Sequence, residues 1–311
     1  MMIRFKYIFV LLVALFAFTV SCKKDDDSPE PPPPPRERGP EAARAQAEIE
    51  EFLETHFYNY EDFLTDPDNF KIVFDTIAGE NASKTPLIDQ VSSKVVTDVI
   101  DSSVEYKLYY LKVREGEGDR PHFSDNTTNT YEGRTLTLEM FDNAVTPIRF
   151  NLVDEQNDQG LSAGIIRGLQ QALIEFRGAS NVTTNPDGTL TFENFGIGAV
   201  FVPSGLGYYQ YPPTTANILP YDQLIFSFEL FSREIADHDN DGIPSYMEDL
   251  NNNQYLMDDD TDGDGIPNYL DNDDDGDRRL TRDEIIIHED GTLEFPDKNG
   301  NGIEDYLDPT I

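Results

Sequence analysis

The amino-acid sequence predicts an α+β fold: an antiparallel, strongly twisted sheet wrapped around one short helix, with a helical extension before it and an irregular acidic tail after it. Three observations predict this. Residues 104–113 (VEYKLYYLKV) and the second half of 224–230 (LIFSFEL) alternate apolar and polar side chains, and residues 127–138 read as a further strand. In this central region only residues 161–176 place apolar side chains at helical spacing, through Ile165, Ile166, Leu169, Leu173 and Phe176. From residue 237 onward, aspartates and asparagines recur in twelve-residue windows.

The chain begins with Arg4 and Lys6, then an apolar run over residues 7–20, then Ser21 and Cys22. The run is short for a membrane-spanning helix and suits a signal peptide over residues 1–21. With the cysteine directly after it, the segment resembles a bacterial lipobox, although Thr19 stands where Leu is usual. The resemblance implies that Cys22 becomes a lipidated N-terminus anchored in a membrane. An ordinary secretory signal with an incidental cysteine is the alternative. Lys23, Lys24 and Asp25 to Asp27 resemble the export signal of Bacteroidetes-type lipoproteins, which implies the outer face of the outer membrane; a solvated charge run is the alternative. Within the linker, residues 22–40, five consecutive prolines favour polyproline II, a semi-rigid spacer rising about 3.1 Å per residue.

Residues 41–103 form the N-terminal extension. Ala45, Ile49, Phe52, Leu53, Phe57 and Tyr60 predict an amphipathic helix over residues 41–63. Residues 70–77 are weaker, and residues 91–100 read as strand or linker.

Residues 104–233 carry ordered blocks: Thr130-Tyr131-Glu132-Gly133, Met140-Phe141-Asp142, Phe150, Ile165-Ile166-Arg167-Gly168-Leu169, then residues 199–231 with Pro203, Ser204, Tyr208 and the closing strand. Together they resemble FKBP-type peptidyl-prolyl cis-trans isomerases over about 130 residues. The resemblance implies an FKBP-like fold and a rotamase cleft that takes X-Pro segments of protein substrates. It further implies apolar pocket positions at Tyr131, Phe141, Phe150, Ile165, Ile166 and Phe226, a rim residue at Ile218, a hydroxyl for the substrate carbonyl at Tyr208, and a carboxylate at Asp142. The Ile166 N–H is a further implied donor, and no cofactor serves the catalysis. Leu169 stands where the family's pocket floor is usually Trp, and the chain contains no Trp. Residues 179–198 are an insertion, expected to form a hairpin about Asn185-Pro186-Asp187-Gly188.

The formal net charge of −37 and pI near 4.1 argue against nucleic acid and anionic lipid as partners and favour cations. One cysteine excludes an intramolecular disulfide. Residues 237–311 hold 24 acidic and 4 basic residues. Four windows there have metal-ligand spacing. Asp237, Asp239, Asp241, Ile243 and Glu248 form the first; Asp260, Asp262, Asp264, Ile266 and Asp271 the second. Asp273, Asp275, Asp277, Arg279 and Glu284 form the third; Asp297, Asn299, Asn301, Ile303 and Asp308 the fourth. Side-chain oxygens at positions 1, 3, 5 and 12, with a backbone carbonyl at 7, suit a hard cation taking 6–8 oxygens, so structural Ca²⁺ is expected. Flanking amphipathic stripes are missing and Pro follows Ile in two windows, so the pattern resembles thrombospondin type-3-like calcium repeats more than true EF-hands. A disordered acidic tail is the alternative.

These expectations assemble into an outer-membrane, cell-surface lipoprotein that helps exported proteins fold. The rival is a non-catalytic peptide-binding or calcium-dependent interaction module on the same fold.

Overall fold

The computed structural model describes residues 34–66, 71–153 and 164–311. The leader, Cys22 with its charge run, and most of the linker lie outside the described residues, as do residues 161–163 of the expected central helix. Among the described residues no helix is long and apolar enough to cross a membrane.

Helix α1 (Arg38–Thr55) buries Ala45, Ile49, Phe52 and Leu53 on one side. It stops short of residue 63. Thr55 Oγ1 donates back to the Glu51 carbonyl (2.7 Å), and the aromatic run that follows extends into β1 (His56–Tyr58). After a single turn, α2 (Tyr60–Phe63), the chain returns as β2 (Phe74–Thr76) and pairs with β1.

The main sheet comprises β3 (Ser92–Thr97), β4 (Glu105–Arg114), β5 (Asn126–Thr135), β6 (Met140–Asn151), β9 (Gly196–Val202) and β10 (Leu224–Glu234). Its order is β3-β4-β9-β10-β5-β6, antiparallel at every pairing. Residues 91–100, ambiguous in the sequence, thus supply an edge strand. Between β6 and β9 run helix α3 (Arg167–Leu173) and the hairpin β7 (Asn181–Thr184) and β8 (Leu190–Glu193), turning where Gly188 N donates to the Asn185 carbonyl. The observed class is the expected one: mixed α and β, mostly antiparallel, with few helices.

Both faces of the sheet are covered. On one face Val200, Val202, Phe226 and Phe228 pack under α3 with Leu169, Leu173 and Phe176. On the other, Ala199, Phe201 and Ile225 meet Ile49, Phe52 and Leu53 of α1. Strand β9 is therefore buried at all seven positions, which is why it reads as an unbroken apolar run. Gly168 lets α3 sit this close, since a Cβ there would come within 2.5 Å of Val202. Glu41 and Asp98 tie the start of α1 to the sheet domain: Arg36 and Arg44 pair with Glu41, Arg38 with Asp98, and Ser204 Oγ donates to Glu41 (3.1 Å).

The tail continues from β10 as a series of loops with single 3₁₀ turns and one small hairpin, β11 (Ile286–Ile287) with β12 (Leu293–Glu294). It packs on the sheet domain through Leu256 and Tyr269 against Phe123 and Val153. His122 stacks on Tyr246 with ring centroids 3.7 Å apart.

Candidate functional site

A concavity opens at the β5–β6 end of the sheet. Its floor is laid by Ile166 and Leu169, because α3 is pinned there. Gln170 Nε2 donates to the carbonyls of Phe123 (3.0 Å) and Leu152 (2.9 Å), satisfying a buried side chain while fixing the helix. Tyr131 faces in from β5, Asp142 and Phe150 from β6, Phe226 from β10, and Tyr208 from the loop after β9. With Ile165 they line a cleft of about 260 Å³. The Tyr131 ring centroid is 5.3 Å from Phe150 and 6.2 Å from Phe226.

Eight of the ten sequence-derived residues share this lining. The other two sit behind it. Phe141 packs edge-on against Phe226 with centroids 5.6 Å apart, and Ile218 is buried in the core beneath the loop. Arg149, Asn151 and Gly164 also line the cleft and escaped the sequence reading. Alternation along β6 turns the neighbours of Phe150 to the opposite face, so the strand period carried no signal for the first two.

Tyr131 Oη donates to Asp142 Oδ2 (2.6 Å). Burial first, then that hydrogen bond and the Asp142 charge, hold the Tyr131 phenol far above its ordinary pKa. Burial and the same carboxylate raise Tyr208. Both phenols therefore keep their protons at neutral pH. The Tyr208 hydroxyl makes no hydrogen bond among the described residues and is a free donor at the wall of an apolar cleft. Such a site can grip an apolar ring and hold a carbonyl.

The tail repeats one loop five times, once more than the sequence showed. In each, the carboxylate at position 1 accepts the N–H of position 6: Asp237 from Gly242, Asp249 from Gln254, Asp260 from Gly265, Asp273 from Arg278 and Asp297 from Gly302. In each, the side chain at position 5 accepts the N–H of position 7, so Ile243, Tyr255, Ile266, Arg279 and Ile303 are held alike. Positions 4 and 6 are left-handed in all five, including the non-glycines Asn240, Asn252, Gln254 and Arg278. The loop at Asp249 uses Asn251 and Asn253 and lacks glycine, which hid it. A further feature, also missed, clamps the other four. Ser245, Asn268, Thr281 and Asp305, at position 9, accept the N–H of position 2 from buried sites. Their shared column in the repeat was the available signal.

Asp260, Asp262 and Asp264 converge, as do Asp273, Asp275 and Asp277, while Asp271 and Glu284 stand outside these groups. Arg279 pairs with Glu284 (2.8 Å), and Asp308 accepts the side-chain amides of Asn299 and Asn301 (2.8 Å each). A third group joins Asp239, Asp241 and Glu248 to Asp274. Burial above all, then neighbouring carboxylates, pushes Glu248 up to about 10, Asp274 to about 9, Asp239 to about 7 and Asp241 to about 6. Two like charges 4 Å apart repel by about 4 kcal/mol even at an effective dielectric of about 20. Ionised together these groups need a cation, and as dry oxygen donors they fit a hard one.

Residues 238–309 match the family described as BamM C-terminal, which covers the tail and well under half the chain. No curated protein matches. Crystal structures similar to this chain include a peptidyl-prolyl cis-trans isomerase from Pseudomonas syringae, at 19% identity and TM-score 0.30, covering 41% of this chain and 75% of that one. FkpA from Escherichia coli is 21% identical with TM-score 0.33, covering 63% and 62%. The three FKBP domains of wheat FKBP73 are 18% identical with TM-score 0.32, covering 46% and 51%. The chain thus spans less than two thirds of the latter two. Likenesses this slight carry nothing about activity, which rests on the cleft itself.

Proposed function

We propose that this chain is an FKBP-type peptidyl-prolyl isomerase that assists exported proteins, anchored to the outer membrane through lipidated Cys22, with a tail ordered by Ca²⁺. One observation carries the catalytic reading: Tyr131, Phe150 and Phe226 meet over Ile166 and Leu169, with the unbonded Tyr208 hydroxyl at the wall. An X-Pro bond turns slowly because loss of amide conjugation costs about 18–20 kcal/mol, while its two isomers differ by only about 0.5–1 kcal/mol. No nucleophile is needed. The aromatic walls hold the prolyl ring, and an environment poor in water favours the twisted amide, whose carbonyl is less strongly solvated than the planar one. Tyr208 Oη and the Ile166 N–H, which makes no hydrogen bond among the described residues, are the donors that fix the peptide.

The Leu169 floor favours a second reading, peptide binding without turnover, because Leu offers a smaller flat surface than an aromatic residue. A protease-coupled assay of the full chain on a short X-Pro peptide separates them. Catalysed isomerisation supports the enzyme; saturable peptide binding with the uncatalysed rate supports the module; neither would remove both. Protease shaving of whole cells tests the surface location, and protection of the tail would overturn it.

A further inference from the structure

Asp274 breaks the pattern of its own loop. At position 2 the five loops carry His238, Leu250, Thr261, Asp274 and Lys298, so only the loop at Asp273 places a carboxylate there. Its backbone N–H is held by Thr281 Oγ1 (3.1 Å), and its side chain leaves the loop altogether. It enters the loop at Asp237, where one oxygen each from Asp239, Asp241, Glu248 and Asp274 lies within 4.8 Å of the others. Asp241 is fully buried, and Glu248 and Asp274 are each 1% exposed. Asp239 Oδ2, Asp241 Oδ2, both Glu248 oxygens and both Asp274 oxygens are buried with no hydrogen-bond partner among the described residues. Four buried carboxylates that converge from two loops, with six of their oxygens lacking a hydrogen-bond partner among the described residues, have no structural use for one another.

We propose that these four residues bind a single Ca²⁺ that staples the loop at Asp237 to the loop at Asp273. The proposal rests on the reading of the tail as a calcium module and adds an inter-loop site to it. Four converging carboxylates, each able to bind through one or both oxygens, suit the 6–8 oxygens that calcium takes; Mg²⁺ retains its waters and is held by one or two carboxylates. The consequence is mechanical. The ion closes the chain between residues 249 and 272 into a ring, and within that ring Asn253 and Gln254 accept from Arg167 (3.2 and 3.1 Å), while Gln171 donates to Gln254 (2.9 Å), both from α3. An isolated loop at Asp237 cannot complete this site.

Calcium chloride titration of the chelator-stripped full chain by calorimetry tests it, alongside Asp274→Asn, Glu248→Gln and the double variant. Each single variant should lose one ion per chain, and the double variant should lose the same one ion, not two. Two ions lost by the double variant, or wild-type binding by Asp274→Asn, overturns the staple while leaving the calcium tail intact. No calcium uptake by the unaltered chain overturns both. Thermal melting guards against simple misfolding. Asp274→Asn should lower the Tm in calcium and raise it in chelator, where it relieves repulsion; shifts of one sign in both conditions mark a packing residue and overturn the site.

Discussion

Around the cleft, the wholly buried side chains include Phe176, Leu173, Val200 and Leu230; in the tail they include Asp241, Ser245, Thr281 and Asp305. The first region removes apolar area from water and closes on itself. The second turns its backbone N–H groups onto its own carboxylates and buries charge, with only small apolar clusters such as Ile243, Ile285 and Tyr306. Apolar burial works in any buffer, whereas buried carboxylates are tolerable only when paired or coordinated. The two regions of one chain should therefore answer to different perturbations.

The sharpest way to break the comparison is to remove divalent cations. Stripping the full chain with chelator should open residues 237–311 to proteolysis, with cuts concentrated in the loops, while the region around the sheet stays resistant. Equal loss of protection in both regions would show that the sheet domain depends on the tail. Next in size is a cavity in the core. Phe176 is wholly buried and meets Phe228 edge-on with centroids 4.9 Å apart. Phe176→Ala should lower stability by about 3–5 kcal/mol in denaturant titration, with or without calcium. A loss near zero would mean that α3 is not packed as described.

Smaller effects discriminate within the cleft. Tyr208→Phe removes one hydroxyl and keeps the ring. It should reduce kcat/KM by roughly tenfold, the worth of about one hydrogen bond, with stability within about 0.5 kcal/mol of the parent. Asp142→Asn should act similarly by loosening Tyr131. Unchanged turnover in both would move the chemistry elsewhere.

Much of the sheet domain was legible because burial on one or both faces writes period two, or an unbroken apolar run, into β4, β9 and β10. The edges were not. Strand β3 buries only Val96 of six residues, and β6 buries none, so packing leaves no period in their sequences. The cleft residues could be named from the order of their blocks, but Phe141 and Ile218 show that order does not distinguish a wall from its support. In the tail, carboxylate spacing revealed four loops. The fifth was hidden because the shared quantity is a backbone shape, which Asn and Gln can also adopt in the left-handed region. The site at Asp274 was illegible, since no local spacing joins residue 248 to residue 274.

The smallest expected effect concerns the seam between α1 and the sheet domain. Burial alone would raise the Glu41 carboxyl, but hydrogen bonds from Arg44 and Arg36, the Arg44 charge and the Ser204 hydroxyl outweigh it and hold the pKa below 4.5. Because the folded pKa is the lower one, the unfolded chain binds the proton more readily. The stabilisation is complete above the unfolded pKa and is lost as pH falls through the folded one. Glu41→Gln should therefore destabilise the chain at neutral pH, by about 1 kcal/mol for a charge-assisted contact that keeps part of its hydrogen bonding. The gap should close in strongly acidic solution, as measured by denaturant titration in calcium-free buffer at each pH. A gap that instead stayed constant with pH would assign the seam to packing by Ala45 and Ile49 and not to the buried charge. That result would make the α1 contact another instance of the apolar construction seen around the cleft.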